Sequence, residues 1–208
     1  MRIFKAQSIR AAHEELIDSL AWNKRIITTE DGEITWECDP ISVEITNPLK
    51  NMIHPSSSFQ LQRCDEYAKQ IIEGVKTDTH ADKQFEYTFH ERLFLHSQYE
   101  DVLNRLKKNL ETRRAVLYTW IPPIDKDKKD VPCLQSIQLI ARDGRLNGIN
   151  YMRSNDILSA AGPNMYGFAR LLEHIATELS LMVGTYTHIV GVPHLYPLRD
   201  AEDLKRWI

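Results

Sequence analysis

Apolar positions along this chain repeat in two rhythms, and the switches between them outline its elements. Residues 7–20 place Ile9, Ala12, Leu16, Ile17 and Leu20 on one helical face, and residues 60–73 do the same with Cys64, Ala68, Ile71 and Ile72. Between these amphipathic helices, 26–29 and 34–37 flank the turn Glu30-Asp31-Gly32-Glu33 and predict a hairpin. An alternating strand follows at 41–46, then a loop at 51–58. A third helix spans about 98–110, with Val102, Leu103, Leu106 and Leu110 inward, and leads through Arg113-Arg114 into a strand at 115–120. The stretch 122–130 reads as a charged surface loop. Strands at 134–141 and 147–153 are joined by Arg142-Asp143-Gly144-Arg145, whose Asp-Gly step signals a hairpin. The longest predicted helix, 164–183, keeps the 3.6 period through Met165, Phe168, Leu172, Ile175, Leu179 and Met182 until Gly184 stops it. A strand at 185–190 and a helix starting near Asp200 complete the chain. Helices mixed with adjacent hairpin strands, without regular strand-helix alternation, predict an α+β domain on one large sheet.

Composition adds exclusions. With 208 residues, 42% of them apolar, the chain can bury one sizeable core, and no shift in composition divides it. One domain over 1–208 is expected. The formal net charge is −3 and basic residues are dispersed, so neither nucleic acid nor an anionic membrane is indicated as a partner. Charge interrupts the apolar positions of the first 20 residues, and no stretch approaches the ~20 apolar residues that span a bilayer. Three cysteines without paired spacing fit reduced thiols and a cytoplasmic location better than a disulfide scaffold. Eight histidines show no zinc-type company, so no metal is expected, and no glycine-rich phosphate loop is present.

Cys133, after Pro132, lies at a predicted strand start beside a loop; a lone cysteine is ordinarily a small buried hydrophobe. Arg113, Arg114 and Arg153 lie near strand or loop ends, and cations folded around a sulfur favour thiolate and recruit phosphate. Arg153-Ser154-Asn155-Asp156 clusters polar side chains where a sheet edge opens, although turn chemistry accounts for such a run equally well. Asn164 is either a helix N-cap or a base reader, since its amide offers the donor and acceptor that match O4 and N3–H of uracil. His194 and Tyr196, two apart in an extended segment, point to one side and can share a ligand hydroxyl.

Taken in order, Arg113-Arg114, Val131-Pro132-Cys133, Arg153-Ser154-Asn155-Asp156, Pro163-Asn164 and His194-Leu195-Tyr196 resemble the signature of the thymidylate synthase and deoxycytidylate hydroxymethylase family. The resemblance runs from about Val102 to Trp207, with Tyr87 and Arg92 aligning before it, and segments 65–74 and 159–166 are similar to the short archaeal, methanogen-type branch. It implies a single domain with a large, mostly antiparallel or mixed sheet flanked by helices, and a homodimer packed through the sheets. It also implies that Cys133 attacks C6 of a pyrimidine nucleotide so that C5 captures the methylene of a reduced pterin, methylene-tetrahydrofolate or methylene-tetrahydromethanopterin. Arg153 and Ser154 would hold the phosphate together with Arg113 and Arg114 of the partner subunit. Asn164 would read the base, His194 and Tyr196 would hold the 3′-hydroxyl of a deoxyribose, and Asp156 would orient base and pterin. Tyr87 would assist loss of the C5 proton, with Glu66 as the general acid/base glutamate.

The pattern departs from the family in places. Leu134 stands where histidine is frequent and Met152 where glutamine is, a tryptophan-rich insertion before Tyr87 is absent, and the C-terminal segment that closes over the folate has no counterpart here. The leading expectation is methylation of deoxyuridylate to thymidylate. A hydroxymethylase of uracil or cytosine nucleotides, quenching with water, and a non-catalytic nucleotide-binding relative are the alternatives; Asn164, in place of a carboxylate, favours uracil.

Overall fold

A computed structural model of the chain describes residues 1–75 and 87–208. Its strands are β1 (Arg2–Ala6), β2 (Arg25–Thr28), β3 (Ile34–Glu37), β4 (Ile41–Ile45), β5 (Val116–Tyr118), β6 (Leu134–Arg142), β7 (Arg145–Asp156) and β8 (Met182–Leu195). Its helices are α1 (Ile9–Asn23), α2 (Leu61–Glu73), α3 (Phe89–Phe94), α4 (Gln98–Lys108), α5 (Pro122–Asp125), α6 (Ala161–Glu178) and α7 (Ala201–Leu204). The strands form one mixed sheet ordered β1-β4-β8-β7-β6-β5, with the β2–β3 hairpin attached through β3 to β8. This is the α+β architecture expected from the sequence.

Local chemistry explains the path. Asp143 and Gly144 both take positive φ, 51° and 70°, as the two-residue turn between β6 and β7 requires, and Arg142 pairs Arg145 across it. β7 and β8 run parallel and therefore need a crossover, which α6 supplies. Its face of Phe168, Leu171, Leu172 and Ile175 packs on the sheet side that carries Leu146, Met152 and Tyr186, in one apolar core. Alternate positions face the other way: Ile149, Tyr151, Thr187 and Ile189 lie side by side in register and stay at least partly exposed.

Three readings are corrected. Helix α6 ends at Glu178, Ser180 turns at φ 55°, and Met182 opens β8, so Gly184 lies within a strand instead of ending a helix. A side chain at Gly184 would collide with Asn147, whose carboxamide oxygen accepts from the Thr185 backbone. Leu110 lies past the end of α4 and is 42% exposed. The charged loop at 122–130 begins with the one-turn helix α5, whose Asp125 is fully buried against Arg92 at 2.7 Å. Two elements go unread in the sequence, β1 and α3, although Thr88 and Glu91 form a capping box in front of α3. No helix of the described residues is long and apolar enough to cross a membrane.

The carboxyl ends of β7 and β8, the start of β6 and the first turn of α6 converge at one end of the sheet. The predicted polar residues gather there.

Candidate active site

Cys133 directly precedes β6, where Leu134 pairs Met152, so its backbone is tied to the end of β7: the Arg153 N–H donates to its carbonyl at 2.8 Å. The Arg153 side chain folds back over the same turn. Its Nε and Nη2 donate to the carbonyls of Pro132 and Val131 at 3.1 and 3.0 Å, and Nη2 lies 3.9 Å from the Cys133 sulfur. Nη1 has no partner among the described residues, which leaves donors for an anion. Cys133 is half-buried whereas Cys38 and Cys64 are buried, so one thiol of three is reachable. Burial raises the Cys133 thiol above the ordinary 9.0 and the Arg153 charge opposes that rise. For Cys38 and Cys64 burial dominates and pushes both to about 11.

The charge of a Cys133 thiolate would act against ionisation of three phenols in its neighbourhood, Tyr67, Tyr87 and Tyr196. The backbone of Cys133 hydrogen-bonds Tyr87, whose ring also lies 5.3 Å from the Arg92 guanidinium. Tyr67 reaches across from α2 and donates to the Asn164 carboxamide oxygen at 2.8 Å. Asn164 is not the N-cap: that position is Ala160, and the Asn164 N–H donates to the Ala160 carbonyl inside the first turn of α6. Its side chain is therefore not spent on capping and is turned toward Tyr67.

On the other flank, Ser154 Oγ lies 3.3 Å from His194 Nδ1, which itself lies 3.1 Å from the Val192 carbonyl. A carbonyl only accepts, so Nδ1 carries a proton and donates to it, which leaves Nε2 without a partner among the described residues. The His194 and Tyr196 rings meet edge to face at 5.4 Å, which realises the same-side placement read from their spacing. Asp156 receives four donors. The Leu158 and Ser159 backbone N–H groups donate to Oδ1, and the Ser159 hydroxyl and Arg199 Nη2 donate to Oδ2 at 2.7 and 2.6 Å. Arg199 also stacks on Tyr196 at 3.9 Å and pairs with Asp200.

Beneath this surface His188 supports the turn. Its Nε2–H donates to the Asn155 carboxamide oxygen at 3.0 Å and its Nδ1 accepts from Tyr186 at 2.8 Å, with all three side chains buried. Burial holds His188 neutral, lowering it to about 3.

Cys133, Tyr87, Arg153, Ser154, Asp156, Asn164, His194 and Tyr196 thus come together. Glu66 does not join them: it accepts from Gln62 along α2, and the side chain that this helix sends into the group is its neighbour Tyr67. Arg113 and Arg114 are exposed and line a cleft of about 200 Å³ with Asn109, Glu111 and Thr112. The Arg113 carbonyl lies beside Gln138, five residues along β6 from Cys133 and so roughly 16 Å away. Neither guanidinium has an ion-pair partner among the described residues. Tyr67 and Arg199 are the site residues that sequence reading missed. Tyr67 falls three residues after Cys64 and four before Ile71, a spacing that places it on the inward face of α2; Arg199 carries no comparable signal.

Among the described residues no group of three or more His, Cys, Asp or Glu side chains is placed to hold a metal. The family model described as thymidylate synthase matches residues 58–206. A protein of Methanocaldococcus jannaschii named "Putative thymidylate synthase" is 32% identical over 219 aligned residues, which cover all of this chain and 96% of that protein. Proteins of the same name from Methanococcoides burtonii and Methanothermobacter thermautotrophicus are 34% and 31% identical, over 94% and 93% of this chain and 89% and 94% of their own lengths. The chain belongs to the thymidylate synthase family, and with it to the enzymes that transfer a one-carbon unit to a pyrimidine nucleotide with a folate-type cofactor.

Proposed function

We propose that this chain is a thymidylate synthase that methylates deoxyuridylate at C5 through a covalent bond between Cys133 and C6. The observation that carries the reading is a half-buried thiol held 3.9 Å from an arginine with open donors, in a neighbourhood that includes Tyr87 and the Tyr67 phenol bonded to Asn164. Addition of the Cys133 thiolate to C6 moves the ring electrons toward C5 and the C4 carbonyl, and Asn164 Nδ2 stabilises that oxygen. Arg153 Nη1 and Ser154 hold the phosphate; His194 Nε2 and Tyr196 take the 3′-hydroxyl. Tyr87, bonded to the Cys133 backbone, assists removal of the C5 proton, and the sulfur leaves C6 at the end. Glu66 was expected as the acid/base; a role there requires α2 to present it in place of Tyr67.

A methylene-tetrahydropterin supplies the one-carbon unit and, for a methyl product, the hydride. Asp156 fits such a ring as a carboxylate matched to its N–H groups, because Arg199, 44% exposed, is the one partner drawn from a distant part of the chain. With relatives among methanogens, methylene-tetrahydromethanopterin stands beside methylene-tetrahydrofolate as the candidate donor. The exposed arginines, too far from Cys133 within one chain, would serve the neighbouring site of a homodimer closed through the uncovered sheet face.

Mass spectrometry of products from deoxyuridylate or deoxycytidylate with each methylene-pterin tests this. A methyl product from deoxyuridylate is expected, with none from Cys133→Ser, which still binds nucleotide. A hydroxymethyl product would replace the reading by hydroxymethylation, and binding without any product would leave a non-catalytic relative.

A further inference from the structure

Asn164 is 7% exposed, yet only one end of its carboxamide is bonded: Oδ1 accepts from Tyr67, while Nδ2 has no hydrogen-bond partner among the described residues. Nδ2 is not among the fully enclosed orphan atoms, so it keeps some exposure. A buried amide left half-satisfied but not fully enclosed points to a ligand with an acceptor at that spot. Which end of the amide faces out is decided by its neighbour.

We propose that Tyr67 is a positioning residue that fixes the orientation of the Asn164 carboxamide and thereby makes the site select a carbonyl over an amino group at C4 of the pyrimidine. This rests on the functional reading above, in which Asn164 faces the base. The phenol O–H is a strong donor, and its oxygen is a weak acceptor because its lone pair is shared with the ring. An amide turned the other way would exchange O–H···O=C for a poorer N–H···O contact and present its oxygen to the ligand. As built, two N–H donors face outward. A uracil C4 carbonyl accepts from them, whereas a cytosine amino group meets them donor to donor.

The fold holds Tyr67 to this task. Helices α2 and α6 pack against each other, and Gly167, one turn after Asn164, permits their close approach: a side chain there would collide with Ile71 of α2 at 2.6 Å, while the Tyr67 ring lies in ordinary contact at 3.4 Å. Burial raises the Tyr67 phenol far above its ordinary value, so it keeps its proton and remains a donor over the working pH range.

Tyr67→Phe removes one oxygen and keeps the ring. Dissociation constants and kcat/KM for deoxyuridylate and deoxycytidylate are measured on the full chain, with thermal melting as the check on folding. The wild type is expected to prefer deoxyuridylate, and Tyr67→Phe to lower that preference about tenfold or more, since a site built around a fixed donor loses discrimination when the donor can turn. Gly167→Ala, whose methyl would collide with Ile71 at 2.6 Å and so press α2 away from α6 without removing the hydroxyl, is expected to shift the preference the same way and serves if Tyr67→Phe does not fold. A general loss of packing would weaken both nucleotides equally. An unchanged ratio in a folded variant overturns the proposal while leaving the functional reading intact; failure of the wild type to bind deoxyuridylate overturns both.

Discussion

At Cys133 two effects oppose each other: burial disfavours the thiolate, and the arginine 3.9 Å away favours it. Burial is the larger, so alkylation by iodoacetamide is expected to accelerate with pH to above 9, the ordinary value for the thiol, with Cys38 and Cys64 silent in the native protein. Arg153→Gln removes the opposing charge and moves the midpoint higher; a midpoint that stays or falls contradicts the assignment. Asn164→Asp places an acceptor where Nδ2 stood, and relative kcat/KM is expected to move toward deoxycytidylate. Much of the site was legible because its members sit at the ends of strands that pattern alone locates: Cys133 before β6, Arg153 to Asp156 closing β7, His194 closing β8. Tyr67 was less so, since an inward tyrosine on an amphipathic helix looks like any core aromatic. Arg199 reaches the site by pairing with Asp156 and stacking on Tyr196, a relation that only three dimensions supply.

Among the elements, α3 and α5 depend on one buried ion pair. Arg92 and Asp125 are 6% and 0% exposed, and Asp125 also accepts from the Ile121 N–H at 2.7 Å. Removing one partner strands a charge, so Arg92→Ala is expected to cost about 3–5 kcal/mol in urea unfolding and to loosen Tyr87, which rests on the same guanidinium. A loss below about 1 kcal/mol would mean the pair is solvated. Sequence pattern found α1, α2, α4 and the β2–β3 and β6–β7 hairpins because each has a clean period or a strong turn. It overran α6, because Leu179 and Met182 continue the helical spacing across the turn at Ser180 into β8. It passed over α5, because a run of charge hides a carboxylate whose partner lies 33 residues earlier.

For the molecule as a whole, acid is the expected weakness. His13 and His188 are buried and neutral, lowered from 6.5 to about 4 and about 3. Unfolded chains protonate both below about 6.5 and the native state does not, so their stabilisation is complete above that pH and is lost as pH falls, by about 1.4 kcal/mol per unit for each group. The melting temperature should drop between pH 6.5 and 4.5, less steeply in His188→Gln; parallel slopes would exclude His188 as a cause. Mixing Cys133→Ser with Arg113→Ala tests assembly. If arginines cross between subunits, half of the dimers carry one intact site, and activity returns to about a quarter of wild type; no recovery means the sites are self-contained.

The filled shell of Asp156 has a kinetic corollary. With every lone pair of the carboxylate engaged, a ring that docks on Asp156 as proposed would enter by exchange, taking the place of a guanidinium that must first let go. On that proposal, freeing the carboxylate by Arg199→Ala would quicken cofactor arrival while loosening Tyr196, so that one arginine would slow one ligand and steady the seat of the other.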